Sequence, residues 1–145
     1  MSSSFDFSGK HVFISGGTSG INLGIAHAFA RAGAKLTVMS RSQEKVDAAV
    51  AALKTHGGAV AGISADVREY AAVEGAIKTA AGTHGKIDVL ISGAAGNFVA
   101  PALGMSANGF KAVIDIDLMG TFHVLRDIDL TVYQGERIVI AGPSG

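Results

Sequence analysis

The sequence predicts an open, doubly wound α/β sheet, and three observations carry that prediction. Short apolar, β-branched runs alternate with stretches of helical periodicity from the N-terminus onward. Glycines close most of these units, and 20 of the 145 residues are glycine, about twice the ordinary usage of roughly 7%. Strands alternating with helices imply parallel pairing through right-handed crossovers.

Each element follows from its own residues. Residues 10–15 (KHVFIS) form a short β-rich run that ends in glycines. Ile21, Ile25, Ala26 and Phe29 then recur at helical spacing, and Gly33 supplies the stop. Residues 35–40 (KLTVMS) read as the second strand. Val46, Ala49, Val50 and Leu53 mark the second helix, closed by Gly57 and Gly58. The third strand lies within residues 59–67, and Val73, Ile77 and Ala80 mark the third helix. Residues 87–92 (IDVLIS) are the fourth strand. Past Pro101, Phe110, Val113, Ile114 and Leu118 predict a helix running to about Val124. Then the rhythm changes. Residues 127–132 (DIDLTV) alternate with period two, Gln134-Gly135 looks like a turn, and residues 137–141 (RIVIA) read as another strand. The expected sheet order is 3-2-1-4-5, with residues 137–141 as strand five and a hairpin or edge segment at 127–132.

Composition narrows the functional classes. The length fits one domain, and 48% apolar against 17% charged residues supply a core rather than a disordered chain. Twelve Lys and Arg balance twelve Asp and Glu, which argues against a broad footprint for nucleic acid or anionic lipid. Cysteine is absent, so disulfides, thiolate metal sites and a cysteine nucleophile are excluded. Five histidines (His11, His27, His56, His84, His123) show no metal-ligand spacing, and no metal is expected. No apolar run reaches the roughly 18 residues of a membrane helix. The MSSSFDFSGK start lacks the regions of a signal peptide, which makes the cytoplasm the expected location.

The glycines point to phosphate chemistry. The first βα turn reads Ser15-Gly16-Gly17-Thr18-Ser19-Gly20-Ile21-Asn22. It follows a strand and opens a helix, where N–H groups unobstructed by Cβ atoms can cradle a pyrophosphate. The stretch from about Phe7 to Val124 resembles the N-terminal half of a short-chain dehydrogenase/reductase, a Rossmann-like fold. Ser15, Gly16 and Gly20 follow that family's TGxxxGxG turn, and Asn22 stands at its last glycine. Asp66-Val67 resembles the family's adenine-contacting Asp-Val, and Ser92-Gly93-Ala94-Ala95 stands where the family has NNAG. The string Ala94-Ala95-Gly96-Asn97-Phe98, with Asp115-Ile116-Asp117, is similar to the 2,4-dienoyl-CoA reductase branch. That similarity implies a proton-transfer role for Asp117, vestigial if the substrate elements are missing.

Cofactor choice is read at the end of the second strand. A fold selecting NAD places a carboxylate about 20 residues beyond the glycines. Ser40, Arg41 and Ser42 stand there instead, and a guanidinium pairs well with a 2′-phosphate. NADP is therefore the expected cofactor, with Arg41 alternatively a plain surface charge and Ser42 a helix N-cap. The expected contacts are Ser15, Gly16, Thr18, Ser19, Gly20, Ile21, Ser40, Arg41, Ser42, Asp66, Val67 and Ala94.

Residues 125–145 read differently. LRDIDLTVYQGERIVIAGPSG resembles the start of an ABC-transporter ATPase domain, whose hairpin leads into a P-loop. Gly142, Ser144 and Gly145 match only the opening of that loop, so weak phosphate binding is the most it implies. Neither Tyr70 nor Tyr133 is followed four residues later by lysine, so Tyr-x-x-x-Lys is absent from these residues. The reading is a single domain, 1–145, in which a reductase-derived part (1–124) is closed by a P-loop-type segment, an engineered chimera. The expected activity is dinucleotide binding without turnover, with a working NADP-dependent reductase or a nucleotide-binding P-loop as alternatives. A homodimer is expected, because the fourth helix keeps its apolar residues.

Overall fold

Alternating strands and helices of this length can bury both faces of a sheet only if the helices distribute to both sides. The computed structural model, which describes residues 5–96 and 100–126, has that arrangement. Strands β1 (His11–Ser15), β2 (Lys35–Ser40), β3 (Val60–Ser64) and β4 (Val89–Ser92) form a parallel sheet in the order β3-β2-β1-β4. Helices α1 (Gly20–Arg31), α2 (Gln43–Lys54) and α3 (Tyr70–His84) follow the first three strands. The predicted order holds as far as strand four; strand five, the hairpin and Gly142 to Gly145 lie outside the described residues.

The register places β1 centrally, with Ile14 opposite Val38 on one side and Ile91 on the other. All five residues of β1 are buried, as expected of a strand covered on both faces. Val12, Ile14, Leu36, Val38 and Ile91 pack against α1 and α2 residues including Ala26, Ala30, Ala49 and Leu53. Phe13, Met39 and Leu90 point the other way, against Val73, Ala76, Ile77 and Ala80 of α3 and against Val124.

After Pro101 comes a short 3-10 turn (Ala102–Gly104), then α4 (Ala107–Ile114), a π-helical turn (Asp115–Met119) and α5 (Gly120–Arg126). The helix runs two residues beyond the expected Val124. Its apolar residues are not all core, however. Phe110 is 59% and Leu118 62% exposed, because periodicity marks an apolar face without supplying anything to cover it. Ile21 is likewise uncovered: in the first turn of α1 it is 73% exposed, whereas Ala26 and Ala30 bury that helix.

Candidate functional site

In a doubly wound sheet the carboxyl ends of the strands, with the loops that leave them, form the natural crevice. A cavity of about 240 Å³ opens there, at the ends of β1, β2, β3 and β4. Gly16, Thr18 and Ser19 form its floor from the first turn, and Ser40, Arg41 and Lys45 contribute from the end of β2 and the start of α2. Ala65 and Val67 close a third side, and Gly93, Ala94, Ala95 and Ile116 the fourth.

Gly16 is required by geometry twice over. Its φ is +73°, a region that costs an L side chain roughly 1–2 kcal/mol. A Cβ there would also stand 2.7 Å from the Ala94 amide nitrogen. Its own N–H donates to the Met39 carbonyl at 2.8 Å, which ties the turn to β2. Ser19 caps α1 with an extended backbone but makes no side-chain cap bond. Nothing lies within 4 Å of where a Cβ on Gly20 would stand. The mouth of α1 is thus open, with helix N–H groups facing space that an anion can fill.

Asn22, at the last glycine of the pattern, donates from Nδ2 to the Gly93 carbonyl at 2.9 Å. Its amide occupies the space a Cβ on Gly93 would need. The close approach that a glycine at 22 would give is supplied instead by a glycine at 93, with a hydrogen bond added. Sequence reading named both departures but not their pairing.

Of the residues expected at the site, Gly16, Thr18, Ser19, Ser40, Arg41, Val67 and Ala94 share this one cavity. The others sit differently. Ser15 is fully buried beneath the turn, and Gly20 and Ile21 form the exposed first turn of α1. Ser42 Oγ accepts from the Lys45 N–H at 3.3 Å, as an N-cap. Asp66 holds Arg68: Nε lies 3.0 Å from both carboxylate oxygens, and Nη2 2.6 Å from Oδ2. That guanidinium keeps the Asp66 carboxyl below the usual carboxylate range, with Arg41 adding to the same pull. Lys45 is the residue that sequence reading missed. Its signal was a second cation four residues after Arg41, on the first turn of the helix that leaves β2.

Asp117 sits in the π turn, where its Oδ1 accepts from the Gly96 N–H at 2.8 Å. The Thr121 hydroxyl donates to the Asp117 carbonyl at 2.7 Å, and Ser92 Oγ reaches Thr121 Oγ1 at 3.5 Å. Single π turns occur often at functional sites, and this one steers a carboxylate toward the loop after β4. Asp115 pairs with Lys111 on the surface. Among the described residues no group of three His, Cys, Asp or Glu is placed to hold a metal ion. None of their helices is long and apolar enough to cross a membrane.

The short chain dehydrogenase family model matches residues 10–140. The chain belongs to that family. The match runs past the junction expected near Val124 and covers most of the segment expected to derive from an ATPase domain, so the comparisons give that expectation and the chimera no support. A peroxisomal 2,4-dienoyl-CoA reductase of Rattus norvegicus is 46% identical over 118 residues, covering 81% of this chain and 40% of that protein. A short-chain type dehydrogenase/reductase from Mycobacterium marinum superposes with a TM-score of 0.82 at 29% identity, over 86% of this chain and 50% of the other. An NAD+-bound xylitol dehydrogenase gives 0.79 at 29% identity, over 84% of this chain and 47% of the other. The short-chain dehydrogenase fold therefore applies here, in a family that uses NAD(P) cofactors. The chain spans about two-fifths of the length of the curated relative.

Proposed function

We propose that the cavity is the adenosine end of an NADP(H) site, in the cofactor-binding part of a reductase for unsaturated acyl-CoA thioesters. The observation that carries the cofactor reading is the pair Arg41 and Lys45 on one cavity rim. No carboxylate stands among the described residues that line it. A ribose 2′-OH would call for an acid at that place, whereas a 2′-phosphate calls for cations. The open mouth of α1 supports the pyrophosphate position. Thr18 and Ser19 add hydroxyls there.

The substrate class rests on the Ala94-to-Phe98 string, on Asp117 and on the likeness to the rat reductase. A polypeptide of these 145 residues binds cofactor without turning it over, since neither tyrosine in it begins Tyr-x-x-x-Lys. The ATPase-like reading of 125–145 rests on the LRDIDLTVYQGERIVIAGPSG string alone, and nothing in this proposal uses it. For assembly we propose a homodimer through the exposed Phe110, Leu118 and Phe122 of α4–α5; a monomer mass by light scattering at high concentration refutes it.

The cofactor reading is tested by calorimetric titration with NADP, NAD, 2′,5′-ADP and ATP. NADP and 2′,5′-ADP should bind similarly, and both more tightly than NAD. Arg41→Ala should weaken them about ten- to hundredfold, roughly 1.5–3 kcal/mol, and erase the preference over NAD. Lys45→Ala should act in the same direction. Equal binding of NADP and NAD by the wild type, or no thermal shift at millimolar NADP, sinks the reading.

A further inference from the structure

Val67 is held from behind by a helix that does not itself line the cavity at that point. The peptide joining Val67 to Arg68 is fixed at both polar ends. Its N–H donates to Asp66 Oδ1 at 3.0 Å. Its carbonyl lies 2.8 Å from Nδ1 of His123, on α5 and 56 residues away in sequence. A carbonyl can only accept, so Nδ1 carries the proton. One turn earlier on α5, a Cβ on Gly120 would stand 2.7 Å from Val67 Cγ2. The missing side chain lets the helix press directly on Val67.

The imidazole is itself oriented. Its ring meets Tyr70 edge-on at 5.6 Å between centroids, and the Arg126 guanidinium lies 4.6 Å over the same tyrosine ring. Residues 66–68 therefore form a strap with three anchors: the Asp66–Arg68 pair, the His123 hydrogen bond and the Gly120 contact.

We propose that His123 is a positioning residue for adenine recognition, acting through the Val67 carbonyl on the strap 66–68. This rests on the NADP reading above. The chemistry is one of complementary edges. Adenine presents a donor at its 6-amino group and an acceptor at N1; hypoxanthine presents an acceptor and a donor at the same two places. Val67 lines the cavity, and its N–H, offered as a donor, suits N1 of the first base and opposes the N1–H of the second. Discrimination between them requires that the strap cannot rotate to suit either, and His123 removes that freedom.

The test uses the full chain with 2′,5′-ADP and its hypoxanthine analogue as probes. Nucleotide-free amide exchange at Arg68 is the second readout. His123→Leu should weaken 2′,5′-ADP about five- to tenfold, narrow the preference over the hypoxanthine analogue and speed Arg68 exchange. His123→Asn, whose amide can donate from nearly the Nδ1 position, should restore both. Gly120→Ala, which keeps the imidazole, should also narrow the preference. If His123→Leu leaves the preference and Arg68 exchange at wild-type values, the positioning role is wrong. If it weakens both probes by one common factor and His123→Asn does not rescue, the residue only packs. A wild-type chain that binds 2′,5′-ADP in either case leaves the cofactor reading intact. A wild-type chain that binds neither probe overturns both the cofactor reading and the role built on it.

Discussion

The two faces of the sheet are built from the same strands and differ in kind. On the α1–α2 side the buried cluster is wholly apolar, from Val12 and Ile14 to Leu53 and Ile91. On the α3–α5 side, alternate positions of the same strands carry His11, Ser15, Thr37 and Ser92. These are all of the buried polar side chains among the described residues. The Gly85 carbonyl accepts from His11 Nδ1 at 2.9 Å, which leaves Nε2 to accept from the Thr37 hydroxyl at 2.8 Å. At the other end of β1's neighbours, Ser92 reaches through Thr121 to the π turn that carries Asp117. One face holds the fold together. The other gives up apolar contact for directed bonds at His11, Thr37 and Ser92, and the bond from Ser92 connects the sheet to the helix that follows Asp117.

The largest expected effect lies on the apolar face. Leu53 is fully buried, and Leu53→Ala should cost about 2–5 kcal/mol of stability. Nucleotide affinity of the folded fraction should not change, since Leu53 is remote from the cavity lining. A urea titration at constant nucleotide measures both. A loss of affinity equal to the loss of stability would show that the two faces are not separate in function.

On the polar face the same kind of truncation acts through an unmet hydrogen bond. Thr37→Val keeps the shape and removes the hydroxyl, so buried His11 Nε2 loses its donor. The expected cost is about 1–3 kcal/mol, read from the denaturation midpoint. A neutral outcome would mean that the His11–Thr37 bond merely replaces a bond to water.

The polar face should also respond to pH where the apolar face cannot. Burial holds both the His11 and the His84 imidazoles below their ordinary value of 6.5. Below that value the unfolded chain takes up protons that the folded chain refuses. Stability is therefore full above about pH 6.5 and falls as the pH drops toward the folded values. The slope is at most about 1.4 kcal/mol per pH unit for each histidine. Urea midpoints at pH 7.5, 6.5 and 5.5 check this; a flat series rejects it.

The contrast between the faces also separates what sequence could reveal from what it could not. Period and glycine punctuation sufficed for β1 to β4 and their order, because a buried parallel strand must be apolar and a helix must repeat. The turn at Gly16 was legible too, since its conformation demands glycine. The π turn at Asp115–Met119 was not, because a short helix has too few turns for one extra residue to stand out from its apolar repeat. Phe110 and Leu118 marked a helix and an apolar face, but their exposure could not be read because it depends on what packs there. Asn22 and Gly93 each stood out as departures, but only the fold brings them together. Lys45 carries no signature of its own in the sequence beyond its spacing from Arg41, and only the fold sets it on the same cavity as Arg41.

The smallest expected effect concerns Ser42, where the cofactor and capping readings part. Its Oγ accepts from the Lys45 N–H at 3.3 Å, a long bond at the N-terminus of α2. Replacing a serine cap by alanine costs about 0.5–2 kcal/mol in general, and the length of this bond places Ser42→Ala near the lower end. The α2 helix belongs to the apolar face through Val46, Ala49 and Leu53, so the cost should appear as lowered stability. If capping is the whole role, 2′,5′-ADP affinity stays within about twofold of wild type while Arg41→Ala loses ten- to hundredfold. A Ser42→Ala loss of fivefold or more would instead place this hydroxyl on the 2′-phosphate with Arg41. The first turn of α2 would then serve the polar chemistry of the cavity as well as the apolar face.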